Sequence, residues 1–194
     1  CKDSANVTKW TFTLPASEEL TSLQIDTNGN LYAMSYKAAA LFIPAQSFTY
    51  KFNSSGVVQW KQPAAGGKAI GTIASDNYLY QARYVTSPPY RTRERWSPSG
   101  AYSSVVAGPN ADAFIANKSG EVWNITGALA STTQTILKIT TSLTESGAFS
   151  VTDPYFSGLD QIECINGDLS AFVKPTGGRL YKYDLSNGLL AWLW

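Results

Sequence analysis

The side chains that most often carry out chemistry are scarce or scattered in this sequence. No histidine occurs among its 194 residues, which removes Ser-His-Asp and Cys-His nucleophilic catalysis and the commonest metal ligand. Fourteen carboxylates are present. Glu18-Glu19 read as part of a loop, with at most one helical turn over Ser17–Leu20, and Asp153 and Asp160 flank Pro154-Tyr155-Phe156. Two carboxyl groups within roughly 10 Å can hydrolyse a glycoside. No spacing here sets such a pair. A glycan-active enzyme would need Asp153, Asp160, Glu163 or Asp168 to converge on a pocket. Asp26-Thr27-Asn28-Gly29 opens like a calcium loop, but Asn30-Leu31-Tyr32 breaks the acidic pattern and no Glu stands at the twelfth position. A tight Asn-Gly turn is the better reading, so no metal site and no cofactor are expected.

The one local concentration of charge is Arg83, Arg91, Arg93 and Arg95, interleaved with Tyr84, Tyr90 and Trp96. In a strand, residues 91, 93 and 95 share a face. Three guanidinium groups in a row repel one another unless they meet solvent, acidic neighbours or an anionic ligand. The segment reads first as an outer strand kept soluble. The sharper reading makes Arg91, Arg93, Arg95 and Trp96 a contact for a protein partner or an anionic glycan, beside a stiff exposed loop at Pro88-Pro89. The two cysteines, Cys1 and Cys164, either form a disulfide or stay apart, with a lipid anchor on Cys1 as a further alternative. Asn6, Asn53, Asn117 and Asn124 stand in Asn-x-Ser/Thr sites that permit glycosylation. Met34 is the only methionine, so Cys1 is expected to follow processing or excision.

Charged residues make up 15% of the chain and net charge is +1, so bulk electrostatics call for neither a nucleic-acid nor a membrane partner. No apolar run approaches the roughly 18 residues of a spanning helix. Aromatic residues reach 13%, which suits half-buried pleated surfaces. Thr, Ser, Asn, Gln and Tyr supply most of the polarity, a balance that suits secreted, cell-surface or virion proteins.

Internal repetition organises the chain. Glycines 56, 100, 147 and 188, each read as a turn residue followed by a strand, are spaced 44, 47 and 41 residues apart. An alternating strand precedes each of them, at Phe48–Phe52, Thr92–Trp96, Thr135–Ile139 and Arg179–Tyr183. Earlier hairpins lie around Asn28-Gly29, Asp76-Asn77, Lys118–Gly120 and Asn166-Gly167. Two hairpins per unit predict four strands per unit, about the length of a propeller blade. The units run over about 20–63, 66–107, 110–152 and 158–194, within a single domain spanning 1–194. Val7–Leu14 is an extra outer strand resembling Val57–Lys61. Trp10, Trp60 and Trp192, on the closing strands, are assigned to packing between units.

Asp26–Tyr32 followed by Tyr50–Trp60 resembles the seven-bladed β-propeller repeats, and Gly178–Trp192 is similar to repeats of the pyrroloquinoline-quinone-enzyme type. The resemblance implies an all-β propeller of about four blades. Two forms stay open, a small closed ring and an arc of a larger propeller; a β-sandwich is the alternative fold. The functional expectation is a non-catalytic structural or recognition module of an extracellular, cell-surface or virion assembly. It would bind protein partners or glycans through loops and blade edges, with a propeller-fold glycan-active enzyme or lectin as the alternative.

Overall fold

The computed structural model describes residues 8–65, 67–84, 91–106, 111–116, 121–127, 133–152, 161–165, 170–174, 181–184 and 190–193. The described residues form strands and turns and no helix. The first sheet comprises β1 (Glu18–Ile25), β2 (Leu31–Lys37), β3 (Gln46–Phe52) and β4 (Val58–Ala65). The second comprises β5 (Ala69–Ile73), β6 (Leu79–Tyr84), β7 (Arg91–Trp96) and β8 (Tyr102–Val106). The third holds β9 (Ala111–Ala116), β10 (Val122–Gly127), β11 (Thr133–Ile139) and β12 (Glu145–Thr152). The fourth holds β13 (Gln161–Ile165), β14 (Ser170–Lys174), β15 (Tyr181–Asp184) and β16 (Leu190–Leu193). Each sheet is a four-stranded antiparallel meander in chain order. The first strands stack in sequence, β1 on β5, β5 on β9 and β9 on β13, with no comparable contact between β13 and β1. This is an arc of propeller blades, not a sandwich.

One turn recurs through the arc. At residues 26–30, 53–57, 74–78, 97–101 and 140–144, the first residue's N–H donates to the carbonyl of the fifth. The fourth residue's N–H donates back to the carbonyl of the first. Side-chain oxygens of Asp26, Asn53, Ser97 and Thr140 accept the fifth residue's N–H, at 2.9–3.2 Å. The fourth residue takes a positive φ: Gly29 77°, Gly56 83°, Asn77 60°, Gly100 88° and Leu143 66°. The tight Asn-Gly turn expected from the sequence is present, Asp26 caps it, and Asn30 Nδ2 also donates to its second carboxylate oxygen at 2.8 Å.

Gly147 does not hold the turn position assigned to it. It lies inside β12, opposite Lys138, and Leu143 occupies the left-handed position. The turn positions Gly56, Gly100 and Leu143 are then 44 and 43 residues apart, more regular than the glycines. A leucine at positive φ costs on the order of 1–2 kcal/mol. Burial offsets it: the Leu143 side chain is packed with Ala74, Tyr80, Ala82, Val122, Leu137 and Ile139, between the second and third blades. The turn at residue 188 lies outside the described residues.

The first and second blades meet through Tyr32, Met34, Ala69, Leu79 and Trp96, flanked by Trp60 and Ile73. At the inner edge, a bulge between Leu20 and Ser22 lets the Thr21 hydroxyl reach the carbonyls of Met34 (3.1 Å) and Ala69 (2.9 Å), one in each blade. At the outer edge, the Trp60 indole stacks on Trp96 with centroids 5.9 Å apart. It also covers Gly100, where a Cβ would stand 3.3 Å from the ring, and its N–H donates to the Pro98 carbonyl at 3.1 Å.

The placement of Leu143 predicts an inverted order of damage. In urea unfolding, Leu143→Ala should cost about 2–4 kcal/mol through the cavity it leaves. Leu143→Gly should cost roughly 1 kcal/mol less than the alanine variant, because glycine adopts the turn without strain. Equal or greater loss in the glycine variant would show that the turn carries no strain.

Candidate interaction surface

β7 is the third strand of its blade, hydrogen-bonded to β6 on one side and β8 on the other, so it is not the outer strand expected from its arginines. Nor do those arginines form a free cationic row. Arg93 is buried, and its Nη2 donates to Glu145 Oε1 at 2.9 Å, joining the second blade to the third. Arg95 stands over Tyr78, its guanidinium carbon 3.5 Å from the ring centroid, and pairs with Asp76 at 3.3 Å. Trp96 is buried beneath Trp60. Arg91 belongs to β7, and its side chain is outside the described set. Arg93 and Arg95 are each met by an acidic neighbour, Glu145 and Asp76, the second of the three conditions under which such a row is tolerated.

Between the arginines, Glu94 points to the opposite face, toward the first blade. There Arg83 is 1% exposed and Glu94 2%. Arg83 forks onto Glu94 through Nε (2.8 Å) and Nη2 (2.7 Å), and its Nη1 donates to Ser47 of the first blade. Gln81, Thr92 and Tyr102 also donate to the Glu94 carboxylate. A buried bidentate pair with every acceptor lone pair served is stable in place and costly to halve. The sequence reading missed Glu94; its signal was one carboxylate at an even position within a row of odd-numbered arginines.

Glu18 is also not in a loop. Ser17 turns the chain at φ 70°, and Glu18 opens β1 beneath the first blade's other face. Its carboxylate accepts Ser35 Oγ (2.7 Å), Tyr50 Oη (2.6 Å) and Lys61 Nζ (2.9 Å). Lys61 stands 4.0 Å over the Phe48 ring. Burial pushes the Glu18 pKa up, but the hydrogen bonds from Tyr50, Lys61 and Ser35 outweigh it and hold the group below its usual value of 4.5. With its three acceptor contacts filled by strand side chains, Glu18 ties β1, β2, β3 and β4 together at one end of the blade.

That end of the blade carries the most conspicuous surface of the described residues. β2 and β3 are joined by Ala38-Ala39-Ala40-Leu41-Phe42-Ile43-Pro44-Ala45, without one charged residue. Leu41 is 100% exposed and Phe42 97%. The loop is not slack: Ala40 and Ile43 exchange two backbone hydrogen bonds at 3.0 and 2.6 Å, which hold Leu41 and Phe42 at the tip. At the opposite end of the blades the tight turns close on each other, with Thr27 donating to Asn77 Oδ1 through its N–H (3.1 Å) and hydroxyl (2.8 Å). The sequence reading made nothing of this loop. Its signal was available: eight uncharged residues with no Gly, Asn or Asp join two strands where polar turn chemistry is the rule.

Several expected sites lie partly or wholly outside the described residues. Cys1, Asn6, Asn117, Asp153, Asp160 and Asp168 are outside altogether; Glu163 and Cys164 belong to β13 and Asn124 to β10, but their side chains are not described. Asn53 is described, and its Oδ1 accepts the N–H groups of Ser55 and Val57. Among the described residues no group of three or more Cys, Asp or Glu could hold a metal ion. No described helix is long and apolar enough to cross a membrane.

No protein-family profile matches the chain, and no curated protein matches it. Solved structures do. A protein of unknown function from Bacteroides caccae superposes with a TM-score of 0.63 at 13% identity, covering 98% of this chain and 72% of that one. The β-propeller domain of the Trilobed protease from Pyrococcus furiosus gives 0.56 at 11%, covering 86% and 69%. A subtype N11 neuraminidase-like protein (H18N11, flat-faced bat) gives 0.57 at 12%, covering 94% and 56%. At such identities the likeness concerns the fold alone, a β-propeller, with each of these chains extending beyond the part matched.

Two predictions follow from the charged groups. Arg83→Met should destabilise by about 3–5 kcal/mol, because Glu94 is left buried without its cation, and Arg83→Met with Glu94→Leu should regain most of that loss; denaturant unfolding of both variants checks it. Glu18 is held below its unfolded pKa, so its contribution is present above about pH 4.5 and fades as pH falls through the lower folded value. Glu18→Gln should therefore flatten part of the acid side of the Tm-against-pH curve, and a parallel curve would refute the assignment.

Proposed function

We propose that this propeller arc is a non-catalytic docking module that seats the Ala38–Ala45 loop in an apolar pocket of a protein partner within a larger assembly. The observation that carries the reading is the loop itself. Two large apolar side chains at full exposure, fixed by a two-bond backbone closure, represent unspent hydrophobic free energy. Burying a leucine and a phenylalanine contributes roughly 1.5–3 kcal/mol each, and a pre-ordered loop loses little entropy on docking. Exposed loops on a rigid scaffold are where propellers and other β folds place recognition. The described arginines, by contrast, serve contacts inside and between blades, which leaves the anionic-glycan reading of Arg93 and Arg95 without support.

The low charge, the neutral polar surface and the four Asn-x-Ser/Thr sites support an extracellular, cell-surface or virion setting for this assembly. A protein pocket is favoured over a membrane surface because the loop contains no cation of its own and the chain's net charge is only +1, whereas stable peripheral attachment takes basic groups or a second anchor.

The test places a photo-crosslinking phenylalanine analogue at position 42 in the native source. One discrete protein adduct, lost in Leu41→Asp, is the expected result. Leu41→Asp should leave Tm within about 1 °C of the parent, since substitutions at such exposed sites usually change stability by less than about 0.5 kcal/mol. Equal crosslinking in Leu41→Asp, or sedimentation of the parent with anionic phosphatidylserine vesicles that Leu41→Asp abolishes, would overturn the reading.

A further inference from the structure

Among the described residues the first blade has a neighbouring blade on one face only, yet its other face is already half dressed for a second. Trp10 lies there. Its indole stacks on Phe52 with centroids 5.7 Å apart and an interplanar angle of 23°. Trp60 stacks on Trp96 at 5.9 Å and 22°. The Trp10 N–H donates to the Ser54 carbonyl at 3.2 Å, as that of Trp60 donates to Pro98 at 3.1 Å. Ser54 and Pro98 are the second residues of their turns. A Cβ on Gly56 would come within 2.5 Å of the Trp10 ring, and Gly100 is covered by Trp60 in the same manner. Trp10 therefore stands to the first blade as Trp60 stands to the second, and Trp60 belongs to the fourth strand of the preceding blade.

The residues around Trp10 have the matching pattern. Trp10, Phe12 and Leu14 alternate with Lys9, Thr11 and Thr13, and Trp10 and Leu14 pack on the cluster of Ala33, Tyr50 and Phe52. Phe12 lies edge-on to Phe52, with centroids 4.8 Å apart. Residues 9–14 belong to none of the sixteen described strands, and Thr8 is a single bridge residue. The fourth blade cannot use it to complete itself, since β16 already fills its fourth place. Meanwhile the inner half of the same face is bare: Leu20, Leu23 and Ile25 of β1 remain exposed, Ile25 at 64%. The corresponding strand of the second blade, β5, has Ala69 and Ile73 covered by the first blade.

We propose that residues 8–14 are the fourth strand of a further blade. Its three inner strands would cover Leu20, Leu23 and Ile25, and they are encoded immediately upstream of Cys1 in the natural polypeptide. The sequence names the direction. Asp3-Ser4-Ala5-Asn6-Val7-Thr8-Lys9-Trp10 aligns residue for residue with Asn53-Ser54-Ser55-Gly56-Val57-Val58-Gln59-Trp60. In first place it carries an aspartate, the residue type that caps the turn at Asp26, and in fourth place an asparagine, the type that holds the left-handed position at Asn77. The matched turn at 53–57, like those at 97–101 and 140–144, joins a third strand to a fourth, and the Trp that follows it marks this class, so a third strand belongs directly before residues 8–14. A second copy of this chain is a poorer occupant, because each of its described blades already has four strands.

The experiment compares the full natural gene product with residues 1–194. In the full product, backbone amides within residues 8–14 should show alternating protection from hydrogen exchange by at least about 100-fold, as strand pairing requires. Ile25→Asp should lower its Tm by roughly 5 °C or more while leaving that of the 1–194 chain nearly unchanged. A gene product with no three-strand pattern upstream of Cys1, free exchange at residues 8–14, or equal response of both proteins to Ile25→Asp would overturn the proposal.

Discussion

A tryptophan ring laid over a turn that has no Cβ is the contact on which this architecture depends. A four-stranded antiparallel sheet buries little by itself, and each face needs another sheet laid against it. The indole of one blade's last strand reaches across to the next blade's outer turn, stacks on an aromatic residue there and donates its N–H to a turn carbonyl. Glycine at the turn is required twice over, by the positive φ and by the ring that occupies the space of a side chain. The same geometry stands at Trp10 and Trp60, fifty residues apart in sequence, while at the joint of the second and third blades the Leu143 side chain fills that place instead.

Charge in this molecule is used mainly between strands and blades. Arg83 and Glu94 close the seam between the first two blades, Arg93 and Glu145 bridge the next, and Glu18 gathers four strands of one sheet. The Ala38–Ala45 loop, by contrast, carries no charged residue. It sits at the end of the blade opposite the tight turns, where longer connections have room to vary without disturbing the joint.

The third blade shows how a repeat can drift while its geometry stays in place. Leu143 takes the glycine position and accepts strain, because its side chain fills the space between blades. Thr140 caps the turn as Asp26, Asn53 and Ser97 do elsewhere. Gly147, the most visible glycine of that segment, is an ordinary strand residue opposite Lys138. Residue type alone points to the wrong position here, since backbone conformation is decided jointly with the packing of the side chain that adopts it.

The four strands per unit, the all-β class, the tight turn at Asn28-Gly29 and the packing of Trp60 between blades were all legible in the sequence. Each follows from local rules: period-two alternation, turn residues at fixed offsets, and a recurrence of about 44 residues. The sequence could not say that β7 is an interior strand, that Glu94 rather than solvent answers Arg83, that Glu18 is buried, or that Leu41 and Phe42 stand fully exposed. Those outcomes rest on which residues distant in the chain arrive opposite one another. Burial and electrostatic pairing are properties of that juxtaposition, and only the stacked blades bring it about.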